Sequence, residues 1–314
     1  MRIFKCVMLC LLLSFFVSIG CLHAEEVKPP EAKAPDAATA PAPVPAPEAK
    51  APETAAAPAP APAPEVTGSA SVAFLNRYIF RGYRIGESGL VIQPSASLSY
   101  KGFTFTYWGN LDTHQKNTTS ATFAGEGQSG YNETDLTLSY TYGIDKLSLT
   151  GGYIHYELRY AKSTGEFFVT MAYDILTKPT FSMYQDVSAY PGTYMNMSFA
   201  HSFNLPKDIT LDLGASFGYL SGQGRNMQTY QPATADYTGS KYKGFHDGMA
   251  KVGFTIPVTK AFLIQPVYQY YFPLSADSNR TYGVDASSGL RIPYNPNGYV
   301  PCSQVYGVNF VYNF

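Results

Sequence analysis

The sequence predicts an all-β fold: a transmembrane antiparallel up-and-down β-barrel of about twelve strands behind a disordered Pro/Ala-rich N-terminal linker. Three observations carry this expectation. Apolar residues recur with a period of two in short segments separated by turn residues, as in strands with one face in an apolar medium. The 314 residues include 15% aromatic and only 14% charged residues, against about 25% charged in a typical soluble chain. Beyond the N-terminus, however, no stretch reaches the roughly 20 apolar residues of a spanning helix. A chain in lipid without such helices must span as strands, and those strands must close into a barrel. Finally, the connections sort by length, short after even-numbered strands and mostly longer after odd-numbered ones. A soluble sandwich has no reason to do this.

Residues 1–24 read as a signal peptide. Arg2 and Lys5 form the basic region, Cys6 to Gly20 the apolar region, and Leu22-His23-Ala24 the cleavage site. Ser18-Ile19-Gly20-Cys21 is a weak match to a lipoprotein box, with Ser in place of Leu or Val, so lipidation of Cys21 is the rival to ordinary cleavage. Residues 25–67 form the linker. Val27 to Pro64 is almost entirely Ala, Pro, Glu and Lys, too poor in apolar surface to fold and biased to polyproline II. At about 3.1 Å per residue it reaches on the order of 100 Å, which brings the cell wall within range. A spacer without a partner is the plainer alternative.

The barrel is expected over residues 68–314. Its first strand, Ser69 to Phe80, sets Val72, Phe74, Tyr78 and Phe80 against Ser71, Ala73, Arg77 and Arg81. The second opposes Leu90, Ile92, Ala96, Leu98 and Tyr100 to Gln93, Ser95, Ser97 and Ser99, and Lys101-Gly102 turns it into the third. There Phe103, Phe105, Tyr107 and Leu111 oppose Thr104, Thr106, Trp108, Asn110 and Asp112. The fourth sets Leu136, Leu138, Tyr140 and Tyr142 against Glu133, Asp135, Thr137 and Ser139. Further strands fall near residues 147–156, 166–174, 180–186, 194–203, 209–220, 248–256 and 262–272. Pro94 and Pro266 mark bulges or weakened pairing. The facing of Tyr153 and His155 is ambiguous.

The closing strand, Ser303 to Phe314, alternates most cleanly: Tyr306, Val308, Phe310, Tyr312 and Phe314 against Val305, Gly307, Asn309, Val311 and Asn313. A terminal strand ending on an aromatic residue resembles the closing strand of bacterial outer-membrane barrels. That resemblance implies that Phe310, Tyr312 and Phe314 are read by the barrel-assembly machinery. With short turns facing the periplasm and an even strand count, both termini are expected in the periplasm.

Tyr78-Ile79-Phe80-Arg81-Gly82, followed by Tyr107-Trp108-Gly109-Asn110-Leu111-Asp112, resembles the opening of the TorF-type porin family. The resemblance runs over roughly 68–314 and is densest in the first three strands. The linker and the long loops from Ser221 and Pro273 depart from it. It implies a porin-like barrel and names no solute.

Arg77 and Arg81 are expected near the outer end of the first strand, with Asp112, Glu133 and Asp135 at the outer ends of the third and fourth. Opposed charges at one height form either a pore constriction or salt bridges that fill the lumen, and the two readings stand level. Asp212, Asp247 and Lys251 are further lumen candidates. Tyrosines near strand ends fit interfacial girdles better than a sugar-stacking track, for which the inward Tyr184 and Tyr271 are the candidates. Gly214 to Gly218 matches a nucleophile-elbow string but sits mid-strand, where that motif does not operate. Ser198 and Ser202 face away from His201. His114, His155, His201 and His246 have no metal-ligand spacing. No enzyme activity, cofactor or metal is therefore expected, and the net charge of −1 gives no reason to expect nucleic acid. The expected function is passive diffusion of small hydrophilic solutes across a Gram-negative outer membrane, amid lipid and lipopolysaccharide. The alternative is a non-conducting structural or adhesive barrel whose external loops bind a partner.

Overall fold

The computed structural model describes residues 66–85, 89–115, 128–159, 161–224, 227–231, 236–284, 291–293 and 298–314. The signal segment 1–24 and linker residues 25–65 lie outside the described residues. The strands that form the wall are β1 (Thr67–Leu75), β2 (Val91–Tyr100), β3 (Phe103–Gln115), β4 (Gln128–Ile144), β5 (Leu147–Leu158) and β6 (Thr164–Tyr173). They continue as β7 (Thr180–Asp186), β8 (Gly192–Asn204), β9 (Thr210–Gly222), β10 (Lys243–Pro257), β11 (Phe262–Pro273) and β12 (Ser303–Asn313). Each pairs antiparallel with its sequence neighbours, and β12 pairs with both β11 and β1, so the twelve strands close into a barrel with no free edge. At the seam Gly68 N donates to Phe314 O at 2.7 Å, and Phe314 N donates back to Gly68 O at 2.9 Å.

Alternation decides the facing. Leu98, Phe103, Phe105, Leu138, Phe167 and Val169 are all exposed on the outer surface. Such a belt is stable only where the surrounding medium is apolar. The other parity lines the lumen with small polar groups that bond to one another across the ladder. Ser69 pairs with Ser97 at 2.9 Å, Ser99 with Thr104 at 2.8 Å and Thr170 with Ser182 at 2.9 Å. Tyr153 is exposed beside Phe167 on the outer face, and His155 shares that parity, which settles the ambiguous strand.

Both termini of the barrel lie at one end, here the terminal end. Its turns are short: 101–102, 145–146, 174–179, 205–209 and 258–261. Lys101 and Gly102 have φ of 48° and 85°, the mirror-image two-residue turn whose twist suits a hairpin. The other end, the loop end, carries the connections 76–90, 116–127, 159–163, 187–191, 223–242 and 274–302. Pro94 interrupts the ladder toward β3 and Pro266 the ladder toward β10, yet neither shifts the register.

One strand expectation fails. β1 stops at Leu75, and Tyr78, Phe80, Arg77 and Arg81 are not part of the wall. Ile79–Phe80 instead pairs with Tyr83–Arg84 as a separate two-stranded hairpin. Tyr78 and Phe80 do keep the period of two, but the apolar medium they enter is the protein interior rather than lipid.

Candidate functional site

The chain turns back after Leu75 because the apolar side chains of 78–85 find cover only inside the loop end of the barrel. Tyr78, Phe80, Tyr83 and Ile85 are each at most 5% exposed there. They pack with Val91 of β2, Tyr194 of β8, Leu220 of β9, and with Met227, Tyr242 and Val300 from the long loops. Ile85 N donates to Tyr78 O at 2.9 Å, closing the hairpin. Its tip is Arg81 (φ 46°) and Gly82 (φ 81°). Gly82 is required sterically as well as conformationally. A Cβ there would come within 2.5 Å of Asp247 Cβ on β10 and 2.8 Å of Val300 Cγ1.

From this tip Arg81 reaches the wall. Its Nη1 donates to Glu166 Oε1 at 2.8 Å, and its Nη2 donates to Glu166 Oε2 at 2.6 Å. The two side chains are 9% and 5% exposed. The guanidinium carbon lies 4.5 Å from the Phe80 ring centroid, 4.6 Å from that of Tyr194 and 5.0 Å from that of Tyr184. Tyr156 OH donates to Glu166 Oε2 at 2.6 Å, holding the carboxylate in its fork. Burial works against the charge on Arg81, and the Glu166 carboxylate outweighs it, holding the guanidinium's pKa above its ordinary value. Planar bidentate pairing over aromatic faces is a geometry that arginine provides and lysine does not.

The neighbouring wall is polar and buried. Thr164 Oγ1 donates to Asp186 Oδ2 at 2.7 Å, while Asp186 Oδ1 accepts from the backbone of Ser188 and Tyr190 at 2.8 and 3.1 Å. Tyr194 OH donates to Asp247 Oδ1 at 3.0 Å. His246 is fully buried between Tyr83 and Tyr242, with Tyr242 OH 3.0 Å from its Nδ1.

The expected constriction residues divide accordingly. Asp112, Glu133 and Asp135 are buried at 1%, 5% and 3% exposure around the loop end of the lumen. Asp112 accepts from His114 N at 2.8 Å. Arg77 lies in the loop that leads into the hairpin. Arg81, expected to oppose those three carboxylates, is bound to Glu166 instead. Asp247 touches the hairpin tip, as described. Asp212 and Lys251 lie lower on the lumen wall, toward the terminal end. Asp212 accepts from Ser202 at 2.6 Å and Thr210 at 3.0 Å through Oδ1, and from Thr255 at 2.8 Å through Oδ2. Lys251 lies along Gly214, where a Cβ would meet it at 3.7 Å. Gln265 and Asn309 extend this network at 3.1 Å. The lumen is thus lined by bonded polar side chains toward the terminal end and filled by a packed core at the loop end.

Glu166, Tyr156, Tyr184 and Tyr194 were not among the expected charged-site residues. Each looks like ordinary strand sequence, and nothing within 85 residues of Arg81 marks Glu166 as its partner.

On the seam, Phe310 packs against Phe74 with centroids 6.0 Å apart and against Phe262 at 6.3 Å, while Tyr312 stacks on Phe314 at 6.2 Å. Ser216 of the nucleophile-like string is a buried mid-strand residue in β9. The barrel wall separates the outward His201, bonded to Leu176 O at 2.7 Å, from the inward Ser198 and Ser202. Among the described residues no group of three acidic, His or Cys side chains is placed to hold a metal ion.

No family model matches the chain, and no curated protein does either. Solved structures of similar shape include a NanC porin at 11% identity and TM-score 0.48, covering 78% of this chain and 100% of that one. OmpT, an outer membrane protein of Vibrio cholerae, matches at 9% identity and TM-score 0.35 over 80% of this chain and 97% of its own. An anion-selective porin from Comamonas acidovorans matches at 8% identity and TM-score 0.30 over 80% and 99%. Likenesses of this size carry no functional argument, and the architecture rests on the strand pairing itself.

Proposed function

We propose that this chain is a porin-like outer-membrane barrel that passes small hydrophilic solutes by passive diffusion, with the hairpin 79–84 as its narrowest point. One observation carries the reading: a closed barrel with an apolar outer belt encloses a wall of hydroxyl, amide and charged side chains, from Ser69–Ser97 round to Gln265–Asn309. A polar lining of this kind accommodates water. The opening motifs' resemblance to TorF-type porins accords with the reading. The short turns and the linker favour termini in the periplasm. In this setting the belt faces lipid and lipopolysaccharide, and Phe310, Tyr312 and Phe314 serve the assembly machinery.

The packed loop end favours a second reading, a non-conducting barrel whose loops bind a partner. Current through planar bilayers separates the two, using the full chain in wild-type form and with Arg81→Ala. Discrete steps from either protein support a channel, and steps from the variant alone identify one held shut by the hairpin. Silence from both, as correctly folded heat-modifiable barrels, overturns the channel reading.

A further inference from the structure

The Arg81 cradle is built mostly by the wall and not by the hairpin. Glu166 and Tyr156 come from β6 and β5, and Tyr184 and Tyr194 from β7 and β8; only Phe80 travels with Arg81. The wall therefore presents a carboxylate fixed by a phenol donor, beneath two aromatic faces, in the arrangement that holds a planar forked cation. We infer that this is a guanidinium receptor whose resident ligand is the chain's own Arg81, and that solutes bearing a guanidinium group compete with Arg81 for Glu166 and so release the hairpin. In its consequence for transport this rests on the porin-like reading; the binding itself does not.

The space around the pair makes the competition exclusive. A partly enclosed cavity of about 40 Å³ borders Arg81 and Glu166, lined also by Phe80, Tyr83, Tyr156 and Asp186. That volume takes a few waters and no organic cation alongside Arg81. Both Glu166 oxygens are already used by Arg81, so a second forked donor enters only as the first leaves. An ammonium group has the charge but not the fork, so discrimination for guanidinium over amines follows from the geometry.

The test is calorimetric titration of ethylguanidinium into the full chain in detergent. Arg81→Ala vacates the receptor and is expected to bind the probe. Wild type is expected to bind it about a hundredfold or more weakly, since only the small undocked fraction is competent to bind. Methylammonium is expected to bind Arg81→Ala more weakly than ethylguanidinium, and Arg81→Ala with Glu166→Gln is expected to bind neither. Where the alanine variant does not give a heat-modifiable barrel, Arg81→Lys takes its place: its ammonium competes for Glu166 without the fork, so it is expected to bind ethylguanidinium more tightly than wild type does. Equal binding with and without Glu166 overturns the receptor, and equal binding of the two probes overturns the ligand class. Bilayer recordings on the same proteins separate the two proposals. Binding with no current from any variant sinks the channel and leaves the receptor; current with no binding does the reverse.

Discussion

Glu166→Gln tests what holds the hairpin in the lumen, and it does so without reference to transport. The substitution keeps the shape of the side chain and removes its charge, leaving Arg81 buried at 9% exposure without its counter-ion. Breaking a buried pair from one side costs about 3–5 kcal/mol. The rings of Phe80, Tyr184 and Tyr194 still face the guanidinium, which places the expected cost toward the lower figure. At about 1.4 kcal/mol per tenfold, the undocked population rises by about two orders of magnitude or more. The four apolar hairpin side chains, each worth roughly 1.5–3 kcal/mol when buried, still keep most molecules docked. A static picture would therefore miss the change, whereas a rate would not. Limited trypsin digestion of the folded barrel, read by mass spectrometry, reports cleavage after Arg81, which is inaccessible while docked. When opening is fast relative to cutting, the rate follows the open population. Cleavage after Arg81 should accelerate about a hundredfold by this arithmetic, while the wall strands stay intact. Equal protection of variant and wild type would refute the claim that the ion pair secures the hairpin.

Five further outcomes follow from the same geometry. Tyr156→Phe removes a 2.6 Å donor from Glu166, but both groups belong to the wall and stay paired when the hairpin leaves, so cleavage after Arg81 should accelerate far less than in Glu166→Gln. Gly82→Ala adds a Cβ 2.5 Å from Asp247 Cβ at a φ of 81°, and should undock the hairpin. Gly239→Ala, at φ 82° with nothing within 4 Å, costs only the backbone strain of about 1–2 kcal/mol and leaves protection unchanged. Leu138→Arg, at a 57% exposed outer position, should lower stability in lipid vesicles by about 2–4 kcal/mol in urea titrations if the belt meets the bilayer midplane. Phe314→Ala, at a side chain 59% exposed, should leave refolding in detergent unchanged and slow the appearance of the heat-modifiable form in cells.

The sequence alone determined the wall. A period of two is a local property, so Leu136, Leu138 and Tyr140 on one face against Asp135, Thr137 and Ser139 on the other were legible without knowledge of any partner strand. Turn residues such as Lys101-Gly102 marked the hairpins, and the sorted connection lengths fixed an up-and-down order. Together with the low charge, these left closure as the only way to satisfy every strand. The contents of the lumen were another matter. Period two records that alternate side chains enter an apolar medium, but not which one. Val72 and Phe74 therefore read identically to Tyr78 and Phe80, although the first pair lies on the outer face and the second in a core inside the barrel. Asp212 and Asp247 were legible as inward charges, because facing follows from parity. Glu166 was not legible as the partner of Arg81, because that contact joins residues 85 apart in the chain, across a lumen that exists only once the strands have closed. Pairing at that distance is set by the barrel's circumference and register, quantities that belong to the closed sheet and not to any one stretch of it.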